Sequence, residues 1–178
     1  METAICTTIA SISRDEWEAC RSSRADGDPF LSYDFFFLLE TSNSVGPKTG
    51  WIPFYIIFKE KNIVVGIIVS FLKNHSQGEY VFDHSWADAY ERSGGNYYPK
   101  LQAAVPFTPV SGERILVQSE YENKVGEMIS SAKRLVEENN LSSLHITFCS
   151  KSFVNIAKKN NLLVREGIQY HWFNRDYK

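Results

Sequence analysis

Between Glu79 and Lys100 the chain gathers Asp83, His84, Trp86, Asp88, Tyr90, Tyr97, Tyr98 and Lys100 in one short stretch. A carboxylate such as Asp83 or Asp88 can bind an amine or remove its proton. Tyrosine hydroxyls can donate to a developing oxyanion, so Asp83 and Asp88 are the catalytic candidates. Trp86, Tyr90, Tyr97, Tyr98 and Lys100 are the matching substrate-contact candidates. The competing reading makes Phe82, Trp86 and Tyr90 core residues on one helical face, with Asp88 paired to Arg92 four residues on. Asp83 and Asp88 are five apart, about 140° around a helix, so a straight helix does not aim both into one pocket. The expectation is irregular chain near Asp83, after the turn at Gly78. Asp83, Asp88, Tyr97 and Tyr98 would then line one cleft with Trp86 beneath it.

Further polar candidates lie downstream. His145 sits between Leu144 and Ile146 on an expected strand, so its side chain points opposite theirs, either as a hydrogen-bonded structural histidine or toward substrate. His171, Trp172 and Asn174 lie on an expected terminal strand, where Trp172 and Asn174 share a face. His145, His171, Trp172 and Asn174 complete the substrate-binding candidates. No metal-ligand spacing, Ser/His/Asp order or phosphate loop is present. Cys6, Cys20 and Cys149 are too few and too scattered for a disulfide framework.

These residues need elements to position them. The β-branched run 3–12 reads as a strand, and Ser13 with Glu16 forms a capping box opening a helix that runs to about Ser23. Ser32 caps a second helix carrying Phe35, Phe36, Leu38 and Leu39. Residues 51–60 and 63–73 are strands of an antiparallel hairpin turning at Lys61-Asn62; their near-continuous apolarity predicts cover on both faces. A helix over 82–93 ends at Gly94-Gly95, and a second short helix is expected from Tyr97 to Val105. A strand over 113–118 precedes a Ser119/Glu122 capping box. The helix behind it carries Tyr121, Val125, Met128, Ile129, Ala132, Leu135 and Val136 on one stripe. A strand at 143–148, a helix at Ser152–Lys159 and a bent strand or strand pair at 162–174 complete the chain. Strands interleaved with helices predict an α/β fold with a mixed sheet.

The 178 residues suffice for one domain with its own core, and 43% hydrophobic with 22% charged residues is globular composition. A net charge of -2 gives no global basic field, which argues against DNA as a partner. No apolar run approaches the roughly 20 residues of a membrane span, and the N-terminus lacks a signal-peptide pattern, so a cytoplasmic location is expected.

Five blocks carry a resemblance: Asp28-Pro29-Phe30-Leu31-Ser32, Ser44 to Trp51, His75 to Pro109, Ser142 to His145, and Gln169 to Arg175. In that order they resemble the FemAB-like predicted N-acyltransferases, bacterial proteins associated with peptidoglycan biosynthesis, and the order of elements resembles the GNAT acyltransferase fold with a helical insertion. The resemblance implies transfer of an acyl or aminoacyl group to an amine of a small molecule or peptide. Acyl-coenzyme A or an aminoacyl-tRNA would be the donor. It also implies that residues 1–178 are one GNAT-like domain, the first half of a tandem protein, partnered by a second GNAT-like half or by another copy. The alternative is a non-catalytic substrate-binding half or a truncated fragment. GNAT enzymes hold the coenzyme A pyrophosphate on a Gly-rich loop, whereas Val117 to Asn123 has no glycine and two acids. Carboxylates at a helix start repel an anion, so no tightly bound coenzyme A is expected here.

Overall fold

The computed structural model describes residues 1–21 and 25–176. The hairpin is its spine. Lys61 and Asn62 both take left-handed φ values, 50° and 65°, as a two-residue hairpin turn requires. Each arm is interrupted once. Strands β2 (Trp51–Pro53) and β3 (Tyr55–Glu60) flank Phe54, while β4 (Ile63–Ile68) and β5 (Ser70–Lys73) flank Val69. The Phe54 amide donates to the Ser70 carbonyl at 2.9 Å, so pairing continues across the break.

Two four-stranded sheets share these arms. The first has the order β1 (Glu2–Cys6), β3, β4, β7 (Ile115–Val117); the second runs β2, β5, β6 (Lys100–Ala103), β8 (Leu144–Ile146). All pairs are antiparallel except β6 with β8. Arg114 clasps the sheets together. Its guanidinium donates to the carbonyls of Thr147 at 3.0 Å, Glu113 at 2.8 Å and Val110 at 2.5 Å. Burial pulls it down to about 10.

The doubly apolar arms are covered on both sides, as their composition predicts. Tyr55 and Ile57 pack with Trp17 of α1 (Arg14–Arg21) and Phe36 of α2 (Tyr33–Thr41). Ile56 and Phe58 pack with Met128, Ile129 and Ala132, introduced by the longer helix that follows β7. Gly66 is a point of close approach: a Cβ there would lie 2.5 Å from the Met128 methyl. The Ser13–Glu16 capping box forms in both directions at 3.2 Å, and Ser32 caps α2 through the Phe35 amide. The expected end of the first helix near Ser23 lies outside the described residues.

Four expectations are corrected. The first strand stops at Cys6, because Thr8 caps a 3-10 turn at Ile9–Ser11 and Glu40 takes the Ile9 amide. Tyr97 to Val105 is not a helix: Lys100–Ala103 pairs with β5 and β8, and this tertiary pairing overrides local propensity. Ser119 and Glu122 form no capping box. Ser119–Lys124 is a 3-10 segment, and helix α4 begins only at Val125, running Val125–Glu138. Its buried stripe of Val125, Met128, Ile129, Ala132 and Val136 matches the expected face. Residues 162–174, after the helix at Lys151–Lys159, carry no regular structure among the described residues, since alternation makes no strand without a neighbour to pair with.

Candidate functional site

Register places the site. Lys73 of β5 is paired with Lys100 of β6, Phe71 with Gln102, and Gln102 with His145 of β8. Paired residues share a face, so Lys73, Lys100, Gln102 and His145 stand on one side of the second sheet. Leu72, Leu101, Leu144 and Ile146 stand on the other, in the α4 core. Residues 74–99 run out from β5 and return to β6, and they fold back over the polar side.

Lys100 is the hub. Its ammonium is fully buried and donates to Glu79 Oε2 at 2.8 Å, Asp83 Oδ2 at 2.8 Å and Ser76 Oγ at 2.9 Å. All three of its N–H donors are therefore engaged. The Tyr97 hydroxyl donates to Asp83 Oδ2 at 2.7 Å, and the Tyr98 hydroxyl shares a 2.7 Å hydrogen bond with Ser76. The result is a hydrogen-bonded chain from Tyr97 through Asp83, Lys100 and Ser76 to Tyr98. Lys73 is buried beside it, donating to the Gln77 carbonyl at 3.2 Å and lying 3.9 Å from the Trp51 ring centroid. Glu79 Oε1, Asp83 Oδ1 and Gln102 Oε1 are buried with no partner among the described residues.

Electrostatics separates the two acids. Burial alone would raise the Asp83 carboxyl, but the Lys100 ammonium and the Tyr97 hydroxyl, which both donate to it, outweigh burial and hold Asp83 at about 2. Burial raises Glu79, and Lys100 only partly opposes it. Burial lowers Lys73 to about 8, with Glu79 opposing and Lys100 adding to the shift. Burial likewise takes His145 to about 4, so its ring is neutral at pH 7; it meets Tyr97 edge-on at 6.0 Å. Burial and the Asp83 carboxylate push the Tyr97 phenol up.

The backbone bends hard to deliver these groups. Gly78, Tyr80 and Phe82 all have left-handed φ values, 77°, 58° and 56°. Two of them are bulky aromatics, each strained by roughly 1–3 kcal/mol. Gly78 has no alternative, because a Cβ there would lie 2.6 Å from the Phe107 ring. Asp83 ends this irregular stretch just before α3 (His84–Arg92).

The expected cleft forms only in part. Asp83, Tyr97, Tyr98 and Lys100 come together, with His145 at the edge of the group. Asp88 is exposed on α3, where Arg92 Nε bonds its backbone carbonyl at 3.2 Å, and it lines a shallow depression with Glu91 and Arg92. Trp86 is 62% exposed and Tyr90 is also exposed, so the aromatic face is neither core nor the floor of a cleft; Ala87 is the buried residue of α3. The Tyr90 ring lies instead against Gly95, where any side chain would collide with it. His171, Trp172 and Asn174 lie on the exposed segment after Leu162, apart from the Lys100 network. Sequence reasoning missed Lys73, Ser76, Glu79 and Gln102. The available signal was a lysine or glutamine at alternate positions of otherwise apolar strands.

Among the described residues no group of three or more His, Cys, Asp or Glu could hold a metal ion, and no helix is long and apolar enough to cross a membrane. The segment before α4 carries Glu120 and Glu122 in its first turn, and Glu127 stands in the first turn of α4 itself.

A family profile described as peptidoglycan biosynthesis/recognition matches residues 8–178. The chain belongs to the FemAB-like family. Its fold is shared with two solved structures. One is the aminoglycoside 6'-N-acetyltransferase AAC(6')-IG from Acinetobacter haemolyticus, with TM-score 0.51 and 13% identity over 100% of both chains. The other is the ribosomal-protein-alanine N-acetyltransferase from Brucella melitensis biovar Abortus, with TM-score 0.53 and 11% identity over 98% of this chain and 100% of that one. Among curated proteins, none matches the chain. The FemAB-like chain thus has the mixed α/β fold of the GNAT acetyltransferases.

Proposed function

We propose that this FemAB-like chain is an N-acyltransferase that passes an acyl or aminoacyl group to a primary amine by direct attack. The observation that carries the reading is the family match over residues 8–178 on a fold shared by two enzymes named as N-acetyltransferases of different amines. The amine lone pair attacks the acyl carbon, a C–N bond forms, and the C–S or C–O bond to a coenzyme A or tRNA donor breaks. The amine's proton goes to a base, which passes it on to the departing coenzyme A sulfur or tRNA ribose oxygen. Glu79 is the better base, because its carboxyl is raised by burial toward the useful range. Asp83 is held near about 2, so its part is to position Tyr97 and Lys100. Peptide amines of cell-wall precursors suit the family description as acceptors. We take residues 1–178 as one GNAT-like unit that works with a second such half or another copy.

A second reading, substrate recognition without chemistry, is favoured by the closure of the polar face: every N–H of Lys100 is engaged internally. The test is to incubate the chain with acyl-coenzyme A or aminoacyl-tRNA and amine-bearing muropeptides, with mass spectrometry for a new amide. Product that disappears in a folded Glu79→Gln variant supports transfer. Muropeptide binding without product from any donor supports recognition.

A further inference from the structure

We propose that the polar face of the second sheet is a binding site for an oxyanion, phosphate or carboxylate, and that residues 74–99 close it with their own Glu79 and Asp83. The floor is built for negative charge. Lys73 and Lys100 are fully buried and sit directly opposite each other on paired strands, an arrangement that is unfavourable without counter-charge. In the closed form that counter-charge comes from the cover: Glu79 and Asp83 each place one oxygen 2.8 Å from the Lys100 ammonium. Each leaves its second oxygen buried without a partner, so the two acids fill the site incompletely.

The cover is attached as a lid would be. Its helix buries Ala87 and turns Trp86 and Tyr90 outward, and Tyr80 and Phe82 before it are exposed as well. Apolar packing therefore contributes little to holding α3 down. Polar contacts to Lys100 and Lys73 do most of that, and they are the contacts an incoming oxyanion would replace. The left-handed Tyr80 and Phe82 are relieved when the stem lets go. Tyr98 and His145 stand at the rim, only partly buried, where they would face an entering ligand. The site shares Glu79 and Asp83 with the proposed transfer chemistry, but oxyanion binding is read by calorimetry and exchange, neither of which needs turnover.

The test uses the full chain and two probes, inorganic diphosphate and succinate. Calorimetry measures binding to the wild type and to the Glu79→Gln, Asp83→Asn and Lys100→Met variants; hydrogen exchange follows residues 74–99 with and without each probe. Weakening the lid raises the open fraction, so Glu79→Gln and Asp83→Asn should bind about tenfold tighter. Lys100→Met should lose binding, and in the wild type the probe should speed exchange within 74–99. Response to diphosphate alone assigns a phosphate ligand, and response to succinate alone assigns a carboxylate. If Lys100→Met does not fold, the wild-type exchange result decides. Affinities unchanged in both acid variants, with no change of exchange in 74–99, overturn the proposal.

Discussion

The two faces of the second sheet are built by opposite rules. One side, with Leu72, Leu101, Leu144 and Ile146, joins the α4 core by apolar contact. The other carries Phe71 in the aromatic cluster with Trp51, but its Lys73, Lys100 and Gln102 are as deeply buried and are held by ion pairs and hydrogen bonds. A core of hydrocarbon tolerates small changes of shape, whereas a buried polar network fails when one member is removed. The difference teaches where this molecule keeps stability in reserve and where it keeps specificity.

Lys100→Met is the most damaging single change expected. It strands two buried carboxylates, and breaking a buried pair costs roughly 3–5 kcal/mol. Urea unfolding measures it, and adding Glu79→Gln and Asp83→Asn should recover a large part of the loss. A loss under 1 kcal/mol for Lys100→Met alone would erase the contrast between the faces. On the apolar side, Met128→Ala should cost about 2–5 kcal/mol, rising with the cavity left behind. It should leave the acid limb of the stability profile untouched.

Asp83 is the buried carboxylate of that acid limb, to which Asp34 beside Arg14 and Glu60 beside Lys124, both lowered, add. The folded Asp83 value of about 2 lies below the ordinary carboxylate value, so its contribution is present above about pH 4 and is lost as pH falls toward 2. It amounts to about 2 kcal/mol. Glu79, raised by burial, acts with the opposite sign: its share of stability declines as pH climbs past the ordinary carboxylate range. Asp83→Asn should flatten the profile between pH 2 and 4, and an unaltered slope would mean that another group carries it. Ser13→Ala, far from both faces, should cost about 0.5–2 kcal/mol through the lost cap. For acetyl-coenzyme A the expected effect is absence of tight binding, given the acids Glu120, Glu122 and Glu127 in the first turns of the 3-10 segment and of α4. A low-micromolar calorimetric isotherm would reverse that expectation.

What could be read in advance follows from how local each signal is. The Ser13–Glu16 box, the Lys61-Asn62 turn and the α4 stripe depend on residues a few positions apart, and all three form. Strand β6 does not announce itself, because Lys-Leu-Gln-Ala is acceptable helical sequence and only β5 and β8 make it a strand. Asp83, Tyr97 and Tyr98 were legible as a group. Lys100 was named with them, but its part as the hub was not legible, since Ser76 and Glu79 acquire meaning only when the chain bends back through Tyr80 and Phe82 onto Lys100. Asp88 and Trp86 illustrate the reverse error. Proximity in sequence suggested a shared cleft, and the helix carries both outward.

The hairpin arms run from one sheet into the other with no intervening loop, and hydrogen bonding continues past the interruption at Phe54 and Val69. The two sheets consequently have no hinge between them and behave mechanically as one beam, cross-braced by Arg114. Heating should melt both in a single cooperative event, with no state in which one sheet survives the other. Freedom of movement in such a body is left to what hangs from the beam at two ends only, as residues 74–99 do between β5 and β6.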